Sequence, residues 1–438
     1  MRVLWLSSAN TLYAEKGDRA YNGKGWIASL QDAVREYAPS IRLAIAFLST
    51  EDSGAIVQDG VSYYKIRRRT PAGFRKLMHN WSNDVSENYD NRIRQIADDF
   101  KPDIIQVFGC ETKLASAILS IKDIPVIVHI QGILNECLPC FFPPGFCTED
   151  MVTSSTFINE KILRNGYIHL YDDYRRRAIK EKSYLSGMRY AMGRTFWDKA
   201  AVQKYSSACY FHVDEVLRPV FYSYAAGAGP GKADNMASGH AWYGGNGHII
   251  RLASTISPVP YKGLDLILRT ASILKKDGRK VRWDVAGINP GSDIVRIFEK
   301  KTGIKAEDNG IRFLGVIDEV RLAQTLLDSD IYVHPSYIDN SPNSVCEAQM
   351  LGIPAVVTDA GGTSALVKDG TTGKVVATGD SAAMAEAIAG YMDRPQEAYA
   401  TAKAAAEAAA LRHDRRKIVS DLLSAYQLIL QESRSAVL

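Results

Sequence analysis

Short runs of β-branched and apolar residues recur along this chain, and the stretches between them carry their apolar positions at helical spacing. In the first half the runs are Val3–Ser8, Arg42–Leu48, Val61–Ile66, Asp103–Phe108, Pro125–Ile130 and Ala208–Val213. Helices are predicted between them, for instance over Trp26–Tyr37 and Glu87–Phe100. Strand, helix, strand in this order is the pattern of parallel βαβ units, and right-handed crossovers then wind the units into one doubly wound α/β sheet.

The pattern breaks between Ala225 and Gly247, where seven glycines and a proline fall without periodicity, so this stretch is predicted to be a linker. Within it Gly227-Ala-Gly-Pro-Gly-Lys232 imitates a phosphate loop. It lacks one spacer residue, the following Ser or Thr, and a preceding strand, so that reading is rejected. A second series begins at Ile249–Ser254 and continues through Val281–Ala286, Ile311–Leu314, Ile331–His334 and Ala355–Thr358. The alanine-rich tail from Tyr399 to about Arg412 and the amphipathic stretch Ile418–Leu430 are predicted helical. The expected division is residues 1–224, a linker over 225–247, a second unit over 248–412, and a last helix within 413–438.

Length and composition agree with two globular units. The chain has 438 residues, 46% hydrophobic and 23% charged, which is long for one open-sheet domain and too apolar for disorder. No apolar stretch approaches the roughly 20 residues of a bilayer-spanning helix. The apolar opening Met1–Leu6 is also too short for a secretory signal, so a cytoplasmic location is expected. Six cysteines in such a protein are expected as free thiols. Cys137, Cys140 and Cys147 resemble part of a zinc ligand set, yet no fourth Cys or His follows at a usual spacing, so a packed loop is preferred and no metal site is assigned.

A net charge of +4 gives no reason to expect a nucleic-acid partner. Locally the charge is concentrated: residues 65 to 76 carry six basic residues (Lys65, Arg67, Arg68, Arg69, Arg75 and Lys76) and no acid, and Phe74, Leu77, Met78 and Trp81 follow at helical spacing. Either a segment that rests on an anionic bilayer surface or a solvated basic face fits this pattern.

The chemistry concentrates in the segment from Tyr332 to Pro354. Ser341 is placed to cap a helix with Pro342 at its first position, and Gly352 ends it before the next strand. Asp339 then sits in a loop feeding a helix whose amino terminus opens at the carboxyl end of a strand, where doubly wound folds bind ligands. On that helix Asn343, Ser344 and Glu347 share a face. Free N–H groups at the helix start suit a phosphate, and the Glu347 carboxylate can accept two hydrogen bonds from ribose hydroxyls.

Asp339, seven intervening residues, Glu347-Ala348, Gly352-Ile-Pro354, the strand Ala355–Thr358 and Gly361-Gly362 follow one another in an order that resembles the glycosyltransferases of family 4. The variant Asp-Asn-Ser-Pro-Asn-Ser-Val-Cys-Glu-Ala is similar to one branch of that family. The resemblance implies a GT-B architecture, two Rossmann-like domains facing across a cleft. It implies retaining transfer of a hexose-type sugar from a UDP- or GDP-sugar to a glycan or lipid-linked acceptor, the setting of surface polysaccharide or glycolipid synthesis, with no cofactor and no metal.

Residue by residue, the resemblance assigns Lys262 to the donor diphosphate, Asp339 to the transferred sugar, and Asn343, Ser344, Glu347, Gly361 and Gly362 to the nucleotide sugar. In the first unit it assigns Gly23 and Gly25 to a close backbone approach by a ligand, and His129 to the cleft beside the sugar. Arg194 is expected to reach an anionic donor or acceptor, with Asp198 as the alternative partner of its charge, and Asp214-Glu-Val-Leu-Arg218 resembles a segment recurrent in the branch. The family's Arg before the Lys has no match, since Arg251 falls too early in its strand; Thr255, Ser257 or a residue from elsewhere must replace it. By the same resemblance the last helix is expected to cross back to the first unit. A nucleotide-sugar epimerase and an inactive sugar-nucleotide-binding protein are the alternatives on the same architecture.

Overall fold

The structure, a computed structural model, describes residues 1–14, 25–68, 78, 80–81, 88–227 and 249–435. The expected linker after residue 227, the phosphate-loop imitation beyond that residue, and Gly23, Arg69, Arg75 and Lys76 lie outside them.

The first sheet has eight strands: β1 (Arg2–Ser7), β2 (Arg42–Ser49), β3 (Ile56–Gln58), β4 (Val61–Arg67), β5 (Ile104–Phe108), β6 (Val126–His129), β7 (Tyr190–Gly193) and β8 (Cys209–His212). They are ordered β3-β4-β2-β1-β5-β6-β7-β8. Every pair is parallel except the β3–β4 hairpin at the edge. Along β1, Val3 and Trp5 enter the core under the helices Trp26–Tyr37 and Arg415–Ser435, while Leu4 and Leu6 enter the core under the helix Asp90–Phe100. A strand with both faces covered must be apolar throughout, which is why β1 shows a continuous run.

The second sheet holds β9 (Ile250–Thr255), β10 (Val281–Ala286), β11 (Ile311–Gly315), β12 (Ile331–His334), β13 (Ala355–Thr358) and β14 (Lys374–Val376), ordered β11-β10-β9-β12-β13-β14. Numbered within this sheet the order is 3-2-1-4-5-6, the doubly wound order whose direction reverses between its first and fourth strands. Leu252, Val285, Val333 and Val356 face one core, and Ala253, Ala286, Tyr332 and Val357 face the other.

Three short strands escape the sequence pattern. β3 and β4 are joined through Asp59-Gly60, both with positive φ, a tight hairpin turn that the apolar pattern does not mark. β7 and β14 are only four and three residues long, below the length at which periodicity separates a strand from a loop.

The chain joins the two halves repeatedly. Leu217 and Phe221 pack into the second domain's core. The excursion after β6 sends Phe146 and Met151 to the opposite core. There Phe146 stacks on Phe298 at 4.5 Å, and Asp150 pairs with Lys301 at 2.8 Å. The helix Arg415–Ser435 then lies on the first domain, with Ile418, Leu422, Tyr426 and Ile429 in its core. The indole of Trp5 donates to the Tyr426 hydroxyl (3.1 Å), which in turn donates to Gln106.

Because Leu422 is fully enclosed, Leu422→Ala should destabilise the first domain by about 2–5 kcal/mol. Leu428→Ala on the exposed side of the same helix should stay within about 0.5 kcal/mol. Denaturant midpoints of the two variants measure the difference.

Candidate functional site

At the carboxyl ends of the strands the two domains enclose a cavity of about 530 Å³, within the range of small-molecule sites. The first domain contributes Ser8 to Thr11 after β1, Gly25 to Ala28 at the start of a helix, and Gln131 after β6. The second contributes Thr255 after β9, Ala286-Gly287 after β10, Val316 after β11, and Asn343, Ser344 and Glu347. A neighbouring space shares Trp26, Gln131, Thr255, Asn343 and Ser344 and adds Arg194, Ser257, Lys262, His334, Asp339 and Ser341. The site therefore lies over the point where the second sheet reverses its strand order.

The loop between β12 and the next helix is shaped by glycines on two sides. Gly263 has φ +78°, and a Cβ there would meet the Pro335 carbonyl oxygen at 2.0 Å. Gly361 has φ +59°, and its Cβ would meet the Asp339 carbonyl oxygen at 2.1 Å. Only glycine fits both the backbone angle and the space. The close fit brings Lys262 Nζ to 2.5 Å from Asp339, whose carboxylate also lies 3.3 Å from His334 Nε2. Burial would raise the Asp339 carboxyl, but Lys262 and His334 hold it well below the usual carboxylate range.

The next helix is Asn343–Met350. Its cap is Pro342, whose carbonyl receives the Val345 N–H, and not Ser341 as the sequence suggests. The Ser341 hydroxyl donates instead to the buried carboxylate of Glu215 at 2.9 Å. Glu347 lines the cavity although it is only 1% exposed. Its two oxygens accept from Arg218 of the preceding domain at 2.8 and 2.7 Å. Burial raises this carboxyl and Arg218 opposes the rise.

Other assignments change. His129 ends β6 but is fully buried, with its ring 4.8 Å from that of Trp26 and 5.8 Å from that of Phe108. It does not line the cavity, because Trp26 stands there instead. Gly361 and Gly362 lie behind the Asp339 loop and support it. Asp198 does not neutralise the Arg194 guanidinium; it accepts from the Arg194 backbone N–H and completes a capping box with Thr195. The guanidinium stacks 4.8 Å over Trp26, and Glu215 lies 3.6 Å away. Arg251 is bound to Asp330 and stays away from the cavity.

Arg218, Trp26 and Gln131 are site residues that the sequence does not assign. The segment Asp214–Arg218 stands out in the sequence, but only the fold shows its Arg reaching Glu347. Cys137, Cys140 and Cys147 are free thiols. Among the described residues the one His/Cys/Asp/Glu group close enough to hold an ion is Glu215, Cys346 and His413.

Residues 247–394 match the family of glycosyl transferases group 1. Over its whole length the chain superposes on sucrose-phosphate synthase from Thermosynechococcus elongatus, with TM-score 0.66, 14% identity and coverage of 98% of this chain and 99% of that one. The chain has the GT-B fold. A second GT-B structure, an Anabaena protein in complex with UDP-glucose, matches with TM-score 0.58 and 16% identity over 97% of this chain and 100% of that one. D-inositol 3-phosphate glycosyltransferase 2 of Catenulispora acidiphila is 32% identical over 145 residues, 31% of this chain and 33% of that protein. The alignment thus spans about a third of that relative's length.

Two consequences of the charge arrangement can be measured. Arg218→Ala leaves the Glu347 carboxylate buried without its partner and should cost about 3–5 kcal/mol, with Arg218→Ala/Glu347→Gln recovering part of the loss in a double-mutant cycle. The folded Asp339 carboxyl titrates below its unfolded value of about 3.9. Its pairing therefore stabilises the protein above that pH and is lost as pH falls through the folded value. The stability gap between parent and Asp339→Asn should be level from about pH 5 upward and close in acid, which denaturant titrations at a series of pH values would test.

Proposed function

We propose that this protein is a retaining glycosyltransferase that moves a hexose-type sugar from a UDP- or GDP-sugar to a glycan or lipid-linked acceptor without a metal ion. The observation that carries the reading is the arrangement of Glu347 on one interdomain space and of Lys262 and Arg194 on the adjoining one, with the start of the helix Asn343–Met350 lining both. This set matches a nucleoside diphosphate end to end. A carboxylate offers about four lone-pair directions. Arg218 occupies two of those on Glu347, opposing the rise that burial causes and leaving two for the vicinal ribose hydroxyls.

Lys262 is assigned to the diphosphate. As the glycosidic bond breaks, negative charge grows on the β-phosphate, and a cation already in place stabilises it most in the transition state. Arg194 is assigned the second cationic contact, since Arg251 is held elsewhere. Asp339 is assigned to the sugar hydroxyls. In retaining transfer the acceptor attacks the face that the nucleotide leaves, and its hydroxyl proton passes to the departing phosphate. No enzymic nucleophile takes part. The fold relative complexed with UDP-glucose and the inositol-phosphate glycosyltransferase relative support the donor and reaction class, and the synthesis of surface polysaccharide or glycolipid is the setting we assign.

A thermal-shift series with UDP, GDP, ADP and their sugars tests donor binding, since a ligand at 100 times its dissociation constant adds about 2.7 kcal/mol. Glu347→Gln should weaken the free nucleotide by about 1.5–3 kcal/mol. Lys262→Ala should lower turnover more than affinity. Asp339→Asn should spare free nucleotide and impair the whole donor. Full transfer by all three variants sinks the site assignment. Donor binding without transfer would mark an inactive binding protein, and donor conversion independent of acceptor would mark an epimerase.

A further inference from the structure

The segment that leaves β6 and returns as the helix Tyr167–Gly187 contains a single π-turn, Ile158–Ile162, closed by the Leu163 N–H on the Ile158 carbonyl at 2.8 Å. The turn is firmly built. Glu160, its one acid, is buried and accepts from the backbone N–H groups of Tyr167 (2.6 Å) and Ile168 (3.0 Å). Such a turn would normally bury its apolar residues, yet here they face outward. Phe157 is 50% exposed, Ile158 58%, Ile162 49% and Leu163 37%.

A second strip lies against the first. Trp81 Nε1 donates to the Ile162 carbonyl at 3.0 Å, and Asn80 Nδ2 donates to the Leu163 carbonyl at 2.9 Å. Trp81 is itself 50% exposed and Met78 55%. Six large apolar side chains thus share one surface, an arrangement that marks an interaction site.

The charge around this surface is positive. Lys161 is exposed, and the Arg164 guanidinium stacks over Trp81 at 5.1 Å. Of the acids near this surface, Glu160 is buried within the turn, and Asp172 and Asp173 on the following helix are shared among Arg164, Arg175, Arg176 and Arg177. Apolar side chains that can enter the acyl boundary, ringed by cations, are complementary to an anionic lipid headgroup layer. A protein partner would need no such one-sided charge.

We propose that the turn Phe157–Leu163, with Met78 and Trp81, is the face by which this protein docks on an anionic bilayer. The sequence pattern points only to the basic run near residue 70; the structure adds the apolar turn from a segment eighty residues away.

The test uses the full chain, without nucleotide, on phosphatidylcholine vesicles with and without one third phosphatidylglycerol. The parent should co-sediment with the anionic vesicles and release as salt screens the charges. Ile158→Asp/Ile162→Asp should lower partitioning at least about tenfold, and Lys161→Glu should reduce the preference for anionic over neutral vesicles. Both variants should keep the parent's melting temperature, because the altered side chains are exposed. Hydrogen exchange on the parent supplies a readout independent of any variant: anionic vesicles should protect peptides covering residues 153–166. Equal partitioning of parent and double variant, protection elsewhere but not in this segment, or self-association through the turn without vesicle binding would each overturn the proposal. None of these outcomes depends on donor binding or transfer, so the glycosyltransferase reading stands or falls separately.

Discussion

The arrangement of the candidate site depends on one buried carboxylate. Glu215 follows the last strand of the first sheet and is 1% exposed. It accepts from the Ser341 hydroxyl at 2.9 Å and the Cys346 thiol at 3.1 Å, both in the second domain. Arg194 supplies a cation 3.6 Å away, and the Glu215 carbonyl accepts from His413 Nδ1 at 2.9 Å, where the chain crosses back. A charge so enclosed is tolerated only when paired and fully hydrogen-bonded. The two domains must therefore meet in one register, and that register puts Arg218 on Glu347 and brings Arg194 and Lys262 to the same interdomain space.

From this joint the rest of the site follows by packing. Thr195, capped against Asp198, donates to Asn340 at 2.7 Å, tying the first domain to the loop that carries Asp339. The same loop is pressed between Gly263 and Gly361, so its carboxylate has little freedom beside Lys262. Such a site is organised before a ligand arrives, which is what the proposed electrostatic stabilisation of a developing phosphate charge requires.

On another side of the molecule the excursion after β6 makes a separate connection. Its Phe146 and Met151 are core residues of the second domain, whereas its π-turn presents apolar side chains to the outside. One short segment thus links the interdomain packing to the surface proposed to meet lipid.

The sequence by itself determined two doubly wound α/β units, and its resemblance to family 4 carried the GT-B expectation that the fold bears out. Parallel strands covered on both faces must be continuous apolar runs, and β1, β12 and β13 could be read directly from theirs. It also singled out Asn343, Ser344, Glu347, Lys262 and Asp339, partly through local helix signals and partly through the family resemblance, and the fold brings them to the interdomain spaces. It did not determine what those side chains touch. Ser341 was expected to cap a helix and instead binds Glu215; His129 was expected in the cleft and lies behind Trp26; Arg218 had no assigned partner until the domains came together. Contacts such as Arg218 with Glu347, 129 residues apart, and the shared surface of Trp81 and Ile162 leave no periodic trace along the chain. Local spacing encodes hydrogen bonds and dihedral preferences within a few residues, whereas pairing across two domains is fixed only when burial forces each charged and polar group to find a partner.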